Sequence, residues 1–200
     1  RLLLRGFLDL EQIEGRVNLE RVSSALAQEF SGLESKIGAW ASWDDTYRFA
    51  VNHDPVYVES NLTGTGLPAL RLNVFVCIDA SGHLVFAQYF NLQTGEFQPV
   101  PSDLLRSLRP GSPLLYGPSG GPPRTGLLML EGGPLMVAAR PIFDSHEHGP
   151  AHGTLIFARW LGPAVVGELA RRTRLHLSTH RLDGEDAAAP RDALGMPFTP

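Results

Sequence analysis

Cysteine occurs once, at Cys77, in a chain of 200 residues. A lone thiol excludes an internal disulfide framework and any cysteine-based zinc site, and it leaves the compartment open. Positive charge is also sparse: 17 Lys and Arg stand against 21 Asp and Glu, for a formal charge of -4. The basic residues are scattered, so there is no electrostatic footprint for DNA or RNA and no nucleic-acid partner is expected. No run of about eighteen apolar residues is present, which excludes a bilayer-spanning helix within this stretch. The familiar catalytic signatures are missing too. Gly117-Pro118-Ser119-Gly120-Gly121 matches G-x-S-x-G in letters but lacks the flanks of a nucleophile elbow, a strand leading in and a helix leading out. The glycine-rich loop has no Gly-Lys-Ser/Thr ending, and no H-E-x-x-H, kinase or dinucleotide fingerprint appears. No catalytic residue and no cofactor is expected. His146, Glu147, His148 and His152, in HEHGPAH, have metal-binding side chains, but a Gly/Pro loop fixes no geometry for them. They read as a solvated loop, and no metal site is expected.

What remains is an ordinary globular composition, 43% apolar and 19% charged, in a chain long enough for one substantial domain. Proline is absent before Pro55, and apolar residues recur at intervals of three and four along that stretch. Phe7, Leu10, Ile13 and Val17 begin a stripe; Val22, Leu26, Phe30, Leu33, Ile37 and Trp40 continue it. This spacing predicts an amphipathic helix from Leu3 to Val51. Such a helix outruns one compact domain, so its first half is expected to project or to pair, giving a homodimer. The chain opens RLLLRGF without an initiator methionine, as a piece of a longer protein would, and a membrane segment is one candidate for what precedes it.

Beyond Pro55 the period changes. Leu72, Val74, Val76 and Ile78 alternate with Asn73, Phe75 and Cys77, the pattern of a strand with one clean core face. Asp79-Ala80-Ser81-Gly82 supplies turn chemistry, and His83 to Asn91 is the returning strand of a hairpin. Leu104, Leu105 and Leu108 suggest a short helix. Gly126–Leu130, Leu135–Phe143 and Thr154–Leu161 read as strands, Pro163 opens a helix through Arg172, and Arg174–Ser178 is read as a final strand. The order predicts an α+β domain with an antiparallel sheet.

Two charged residues stand where apolar ones are expected. On the helical phase Leu33, Ile37, Trp40, Asp44, Tyr47, Val51, Asp44 falls on the inward face and Asp45 on its flank. A carboxylate so placed needs a cation or several donors. In PLMVAARPIF, Arg140 shares a strand face with Met136, Ala138 and Ile142. It either pairs with a carboxylate such as Asp44, offers a bidentate fork to a ligand, or reaches solvent at the strand end. Asn61 reads as a polar bridge to a pocket or a turn cap. On the hairpin's second face, Asn73, Phe75 and Cys77 are expected to meet Ala87 and Tyr89 in a mixed polar and aromatic lining.

WASWDDTY, YVESNL, RLNVFVCIDASGHLV, GPLMVAARPIF and GTLIFARWL occur in that order, from about Ala39 to Leu177. Together these blocks resemble the CHASE4 family of extracytoplasmic sensor domains. The resemblance implies a single Cache/PAS-like domain, a long N-terminal helix packed on a curved antiparallel sheet that holds a ligand pocket. It implies three parts: residues 1–38 as a signalling and dimerisation helix, 39–180 as the sensing domain, and 181–200 as a tail before a missing last strand, with DALGMPF resembling the segment that precedes it. It further implies a non-enzymatic domain on the periplasmic or extracellular side, membrane-tethered in the full-length protein. The output would be a cytoplasmic histidine kinase or a cyclic-di-GMP cyclase or phosphodiesterase. Trp40, Trp43, Asp44, Asn61 and Arg140 are the positions carried over, and Tyr47, Asn73, Phe75 and Tyr89 join them from the residue reading. The expected ligand is a small molecule: an anion if Arg140 faces the pocket, an amine if Asp44 does, an amino-acid-like zwitterion if the two bridge. The competing expectation is a ligand-free interaction or dimerisation module in which Asp44 and Arg140 form a structural bridge; an unrecognised hydrolase comes third.

Overall fold

A computed structural model describes residues 2–64, 66–147 and 149–179, with side chains from residue 14 onward. The elements run α1 (Leu2–Ala41), α2 (Asp44–Asn52), α3 (Pro55–Asn61), α4 (Gly66–Leu70), β1 (Val74–Asp79), β2 (Leu84–Asn91) and β3 (Glu96–Gln98). They continue α5 (Ser102–Ser107), β4 (Arg124–Leu130), β5 (Gly133–Pro141), β6 (Gly153–Trp160) and α6 (Pro163–Thr173). Two compact units result, Phe30–Trp160 and a smaller one made, among the described residues, of 2–29 with 161–179.

The larger unit holds a six-stranded antiparallel sheet in the order β3-β2-β1-β6-β5-β4. The α+β class read from the sequence is therefore the observed one. β1 lies at the centre, and its residues Val74 to Ile78 are buried on both faces. Alternation divides the core accordingly. Val74, Val76, Ile78, Val137, Ala139, Ile156 and Ala158 point to one face, where Leu104 and Leu108 close the cluster from α5 and the segment after it. Phe75 and Phe157 occupy the other, their rings 5.6 Å apart, with the Trp40 ring edge-on to both at 6.0 and 5.9 Å. Edge-to-face contacts of this kind add about 0.5–1.5 kcal/mol each beyond the area they bury. The last turns of α1 reach this face through Leu33, Ile37 and Ala41.

The smaller unit buries Ala25 of α1 and Val165, Val166 and Leu169 of α6. Arg172 of α6 donates to Glu29 of α1 at 2.6 Å.

Several expectations need correcting. The predicted helix from Leu3 to Val51 is two helices, broken at Ser42–Trp43. In a continuing helix the Ala41 carbonyl would accept from Asp45; here it accepts the amide of Phe143 at 3.0 Å. Trp43 is extended, at φ -98° and ψ 131°, and α2 restarts in a new phase that buries Thr46, Phe49 and Ala50. Val51, expected inward, is exposed. VESNLT, not assigned to an element from the sequence, lies in α3 and the turn after it: Asp54 caps the helix by accepting the Val56 amide at 2.9 Å, and Pro55 opens it. The expected strand at Arg174–Ser178 does not form. Arg174 turns left-handed at φ 60°, Leu175 donates back to Ala170, and the chain leaves α6 irregular, without a ladder partner among the described residues. The hairpin pairs Val74 with Tyr89 and Cys77 with Phe86, so Tyr89 and Ala87 lie opposite Phe75 across the sheet, not beside it. The tail 181–200, with DALGMPF, and His148 lie outside the described residues.

Candidate functional site

The break after Ala41 creates a joint that the β5–β6 loop holds from one side. Ser145 donates its amide to Asp44 Oδ1 at 2.8 Å, and Ser42 Oγ donates to Glu147 Oε1 at 2.8 Å. Arg140 Nη2 reaches the same Glu147 oxygen at 3.0 Å. Tyr47 OH lies 3.1 Å from His152 Nε2, with the two rings 4.5 Å apart. The guanidinium of Arg140 passes so close to α1 that a Cβ on Gly38 would stand 2.7 Å from its Nη1. The Ser145 amide, followed by the Ser145 hydroxyl, holds the Asp44 carboxyl below its ordinary pKa. Asp44 is thus exposed and engaged by a loop amide, while Arg140 bridges to Glu147; the Asp44–Arg140 pair, one of the alternatives read for Arg140, is not formed. The shifted phase of α2 is the reason.

On the other side of the joint, α2 and α3 enclose a groove of about 350 Å³, within the usual range for small-ligand sites. Trp43, 37% exposed, forms one wall, with Tyr57 at a centroid distance of 6.1 Å. Phe49 stacks on Tyr57 at 4.5 Å and 14°, fixing the ring. The phenol shares a buried 2.7 Å hydrogen bond with Thr46 Oγ1, and its burial raises its pKa, so the ring is neutral. Polar lining comes from Asp45, Arg48, Asp54 and Asn61. Asp45 is paired with Arg48. Asp54 caps α3 through Oδ1, and Asn61 donates from Nδ2 to the Tyr57 carbonyl at 2.9 Å. The second oxygen of Asp54 and the side-chain carbonyl of Asn61 carry no hydrogen bond among the described residues.

The nine residues expected at the site therefore fall in different places. Trp43 and Asn61 line the groove, while Asp44, Tyr47 and Arg140 belong to the loop contacts. Trp40 and Phe75 form the aromatic core beneath the joint. Asn73 is buried, donating to the Phe90 carbonyl and accepting from the Trp160 amide, so both ends of its amide hold strands together. Tyr89 accepts from Trp160 Nε1 at 3.3 Å on the opposite face. Sequence reasoning missed Arg48, Asp54 and Tyr57. The Asp-Pro step at Asp54–Pro55, an N-cap followed by proline at the first helical position, could have marked Asp54 as the start of a helix; no comparable signal pointed to Arg48 or Tyr57.

The smaller unit has a groove of its own between α1 and α6, about 660 Å³, lined by Glu20, Arg21, Gln28 and Arg172. Arg172 is already engaged there by Glu29 and Gln28. Among the described residues no cluster of three His, Cys, Asp or Glu side chains is placed to hold a metal ion, and no helix is long and apolar enough to cross a membrane.

The CHASE4 domain family matches residues 25–180. The methanogenesis regulatory histidine kinase FilI of Methanothrix harundinacea (strain 6Ac) is 32% identical over 176 residues, 88% of this chain and 20% of that protein. The chain thus spans about a fifth of that kinase's length. Two solved structures are also similar: a domain of a proposed sensory box/GGDEF family protein from Vibrio parahaemolyticus, and the extracellular domain of a proposed histidine kinase, vpHK1S-Z8. Each is 11% identical with a TM-score of 0.46; they cover 77% and 79% of this chain, and this chain covers 62% of each.

Proposed function

The chain belongs to the CHASE4 family of extracellular sensor domains, and on that footing we propose that it is the ligand-sensing part of a membrane-bound receptor, binding a small molecule in the α2–α3 groove. One observation carries this reading. Trp43, a wall of the groove, is also the extended residue that ends α1 and starts α2. A ligand packed on Trp43 acts on the joint of the 40-residue helix α1. Binding favours one setting of that joint over another, and α1 carries the change as a shift in population. The output is a histidine kinase, as in the FilI relative, or a cyclic-di-GMP cyclase or phosphodiesterase; the domain itself is not catalytic. Pairing of two copies through α1 belongs to the same proposal: Val17 and Leu19 are 40% and 45% exposed, and since they lie about 200° apart around the helix only one of them sits in a given seam.

A thermal-shift screen of metabolites against the wild-type domain and Trp43→Ala tests the reading. A ligand at about 100 times its dissociation constant stabilises by about 2.7 kcal/mol, which raises Tm by roughly 5–10 °C for a domain of this size. The expected result is a shift in the wild type that Trp43→Ala abolishes. A broad library with no hit, or a hit indifferent to Trp43→Ala, contradicts it.

A further inference from the structure

Resting on the sensor reading, we infer that the α2–α3 groove selects an organic cation: an amine or a quaternary ammonium group. The groove is lined by two carboxylates, Asp45 and Asp54, against one guanidinium, Arg48. That guanidinium is paired with Asp45, so the carboxylate of Asp54 gives the wall a net negative charge. Two acceptors remain open, the second oxygen of Asp54 and the Asn61 side-chain carbonyl, beside the neutral side chains of Asn52 and Ser60. An ammonium offers donors and charge to both. The apolar part of the wall is mainly aromatic, with Trp43 partly uncovered and tilted 50° to Tyr57, and Val56 beside them. Ring faces attract a cation through their quadrupole, indole most strongly, and they accept the methyl or methylene groups beside the charge.

The same features argue against other occupants. An anion would face a net negative wall, and a sugar would leave the charges unmatched. A divalent ion would want a third anionic or imidazole ligand, which the described residues do not bring together here, and it would gain nothing from Trp43. The carboxylates, separated along the groove on α2 and at the N-terminus of α3, suit a molecule that presents one charged head and an adjoining hydrocarbon part.

The test is calorimetric and tryptophan-fluorescence titration of the domain with ethanolamine, choline and spermidine, beside acetate, glucose and Ca²⁺. At least one amine should bind saturably and perturb Trp43 emission. Asp54→Asn should weaken it about tenfold, since asparagine caps α3 as well as aspartate does and only the charge is lost. Asp45→Asn, checked by circular dichroism for an intact fold, should weaken it similarly, and Glu131→Gln, outside the groove, should leave it unchanged. Added salt should weaken binding to this open site. If acetate or glucose binds and no amine does, the inference falls while the sensor reading stands. Amine binding that Asp54→Asn and Asp45→Asn leave intact overturns it too, as does Ca²⁺ competing at the same groove. If nothing in any class binds, both readings fall.

Discussion

Replacing Gly38 by alanine sets two effects of similar size against each other. Gly38 lies inside α1, where alanine is favoured over glycine by about 0.8–1.0 kcal/mol. The added methyl, however, would stand 2.7 Å from Arg140 Nη1 and 3.7 Å from Cζ. The guanidinium is the far end of a flexible side chain and can give way, but only by lengthening its 3.0 Å contact with Glu147. The Arg140 side chain is 26% exposed and that of Glu147 53%, so the pair is valued near the surface range, up to about 1 kcal/mol. Gly38→Ala should therefore leave the wild type within about 0.5 kcal/mol of its starting stability. In an Arg140→Ala background nothing resists the methyl. The same change should then stabilise by about 1 kcal/mol, raising Tm by roughly 2–4 °C. A double-mutant cycle by urea denaturation, followed by tryptophan fluorescence, measures the difference, and the expected coupling is about 1 kcal/mol. A full stabilisation of the wild type by Gly38→Ala, with a cycle that closes at zero coupling, would refute the packing of Arg140 against the helix.

Gly153→Ala should cost about 3 kcal/mol or more, because it meets both backbone strain and a hard clash: its φ is 136° and a Cβ would lie 2.0 Å from the Ile78 carbonyl oxygen. Denaturation or loss of soluble expression reads this, and a cost under about 1 kcal/mol contradicts it. The Cys77 thiol is pushed up to about 12 by burial, with Asp79 adding to the effect. Labelling with a thiol reagent at pH 8 should consequently track unfolding, so labelling at the rate of a free thiol in native protein would contradict the buried placement. The folded Asp44 carboxyl titrates below its unfolded value, which makes its contribution present above about pH 4 and lost as pH falls through the folded pKa. Denaturation between pH 2.5 and 7 should show an acid-side slope that Asp44→Asn reduces; an unchanged slope removes Ser145 as its partner.

The strands were legible because their signals are local and redundant. Val74, Val76 and Ile78 alternate with Phe75 and Cys77, the turn at Asp79–Gly82 is built from turn-forming residues, and the structure places β1 and β2 there. What the alternation cannot convey is register. Five strands have apolar residues on both faces, so nothing in the composition of β2 said whether Tyr89 sits beside Phe75 or beside Val74. Only the pairing of Val74 with Tyr89 decides it. Asn73 misled for a related reason. A buried amide at a strand end looks the same in sequence whether it receives a ligand or, as here, ties neighbouring strands through the Phe90 carbonyl and the Trp160 amide.

The joint at Ser42–Trp43 was hidden by a different kind of interaction, and it decides the roles of the two adjacent aspartates. WASWDD carries neither proline nor glycine and the stripe continues in phase to Val51, so the periodicity masks the one local start signal, Ser42-x-x-Asp45 with two acids in the next turn. The interruption comes from a residue about a hundred positions along, as the Phe143 amide takes the Ala41 carbonyl. A long-range hydrogen bond of this sort leaves no periodic trace. Once the phase is reset, Asp44 turns toward the β5–β6 loop and holds the Ser145 amide, while Asp45 joins the groove with Arg48. The loop holds this turn at Ser42, Asp44 and Tyr47, and the groove takes Trp43, Asp45 and Arg48. On the proposed mechanism this is the arrangement a sensor needs. A cation drawn to Asp45 and Trp43 competes for the orientation of α2 with a loop anchored on Asp44, and a small difference in that balance resets the end of α1.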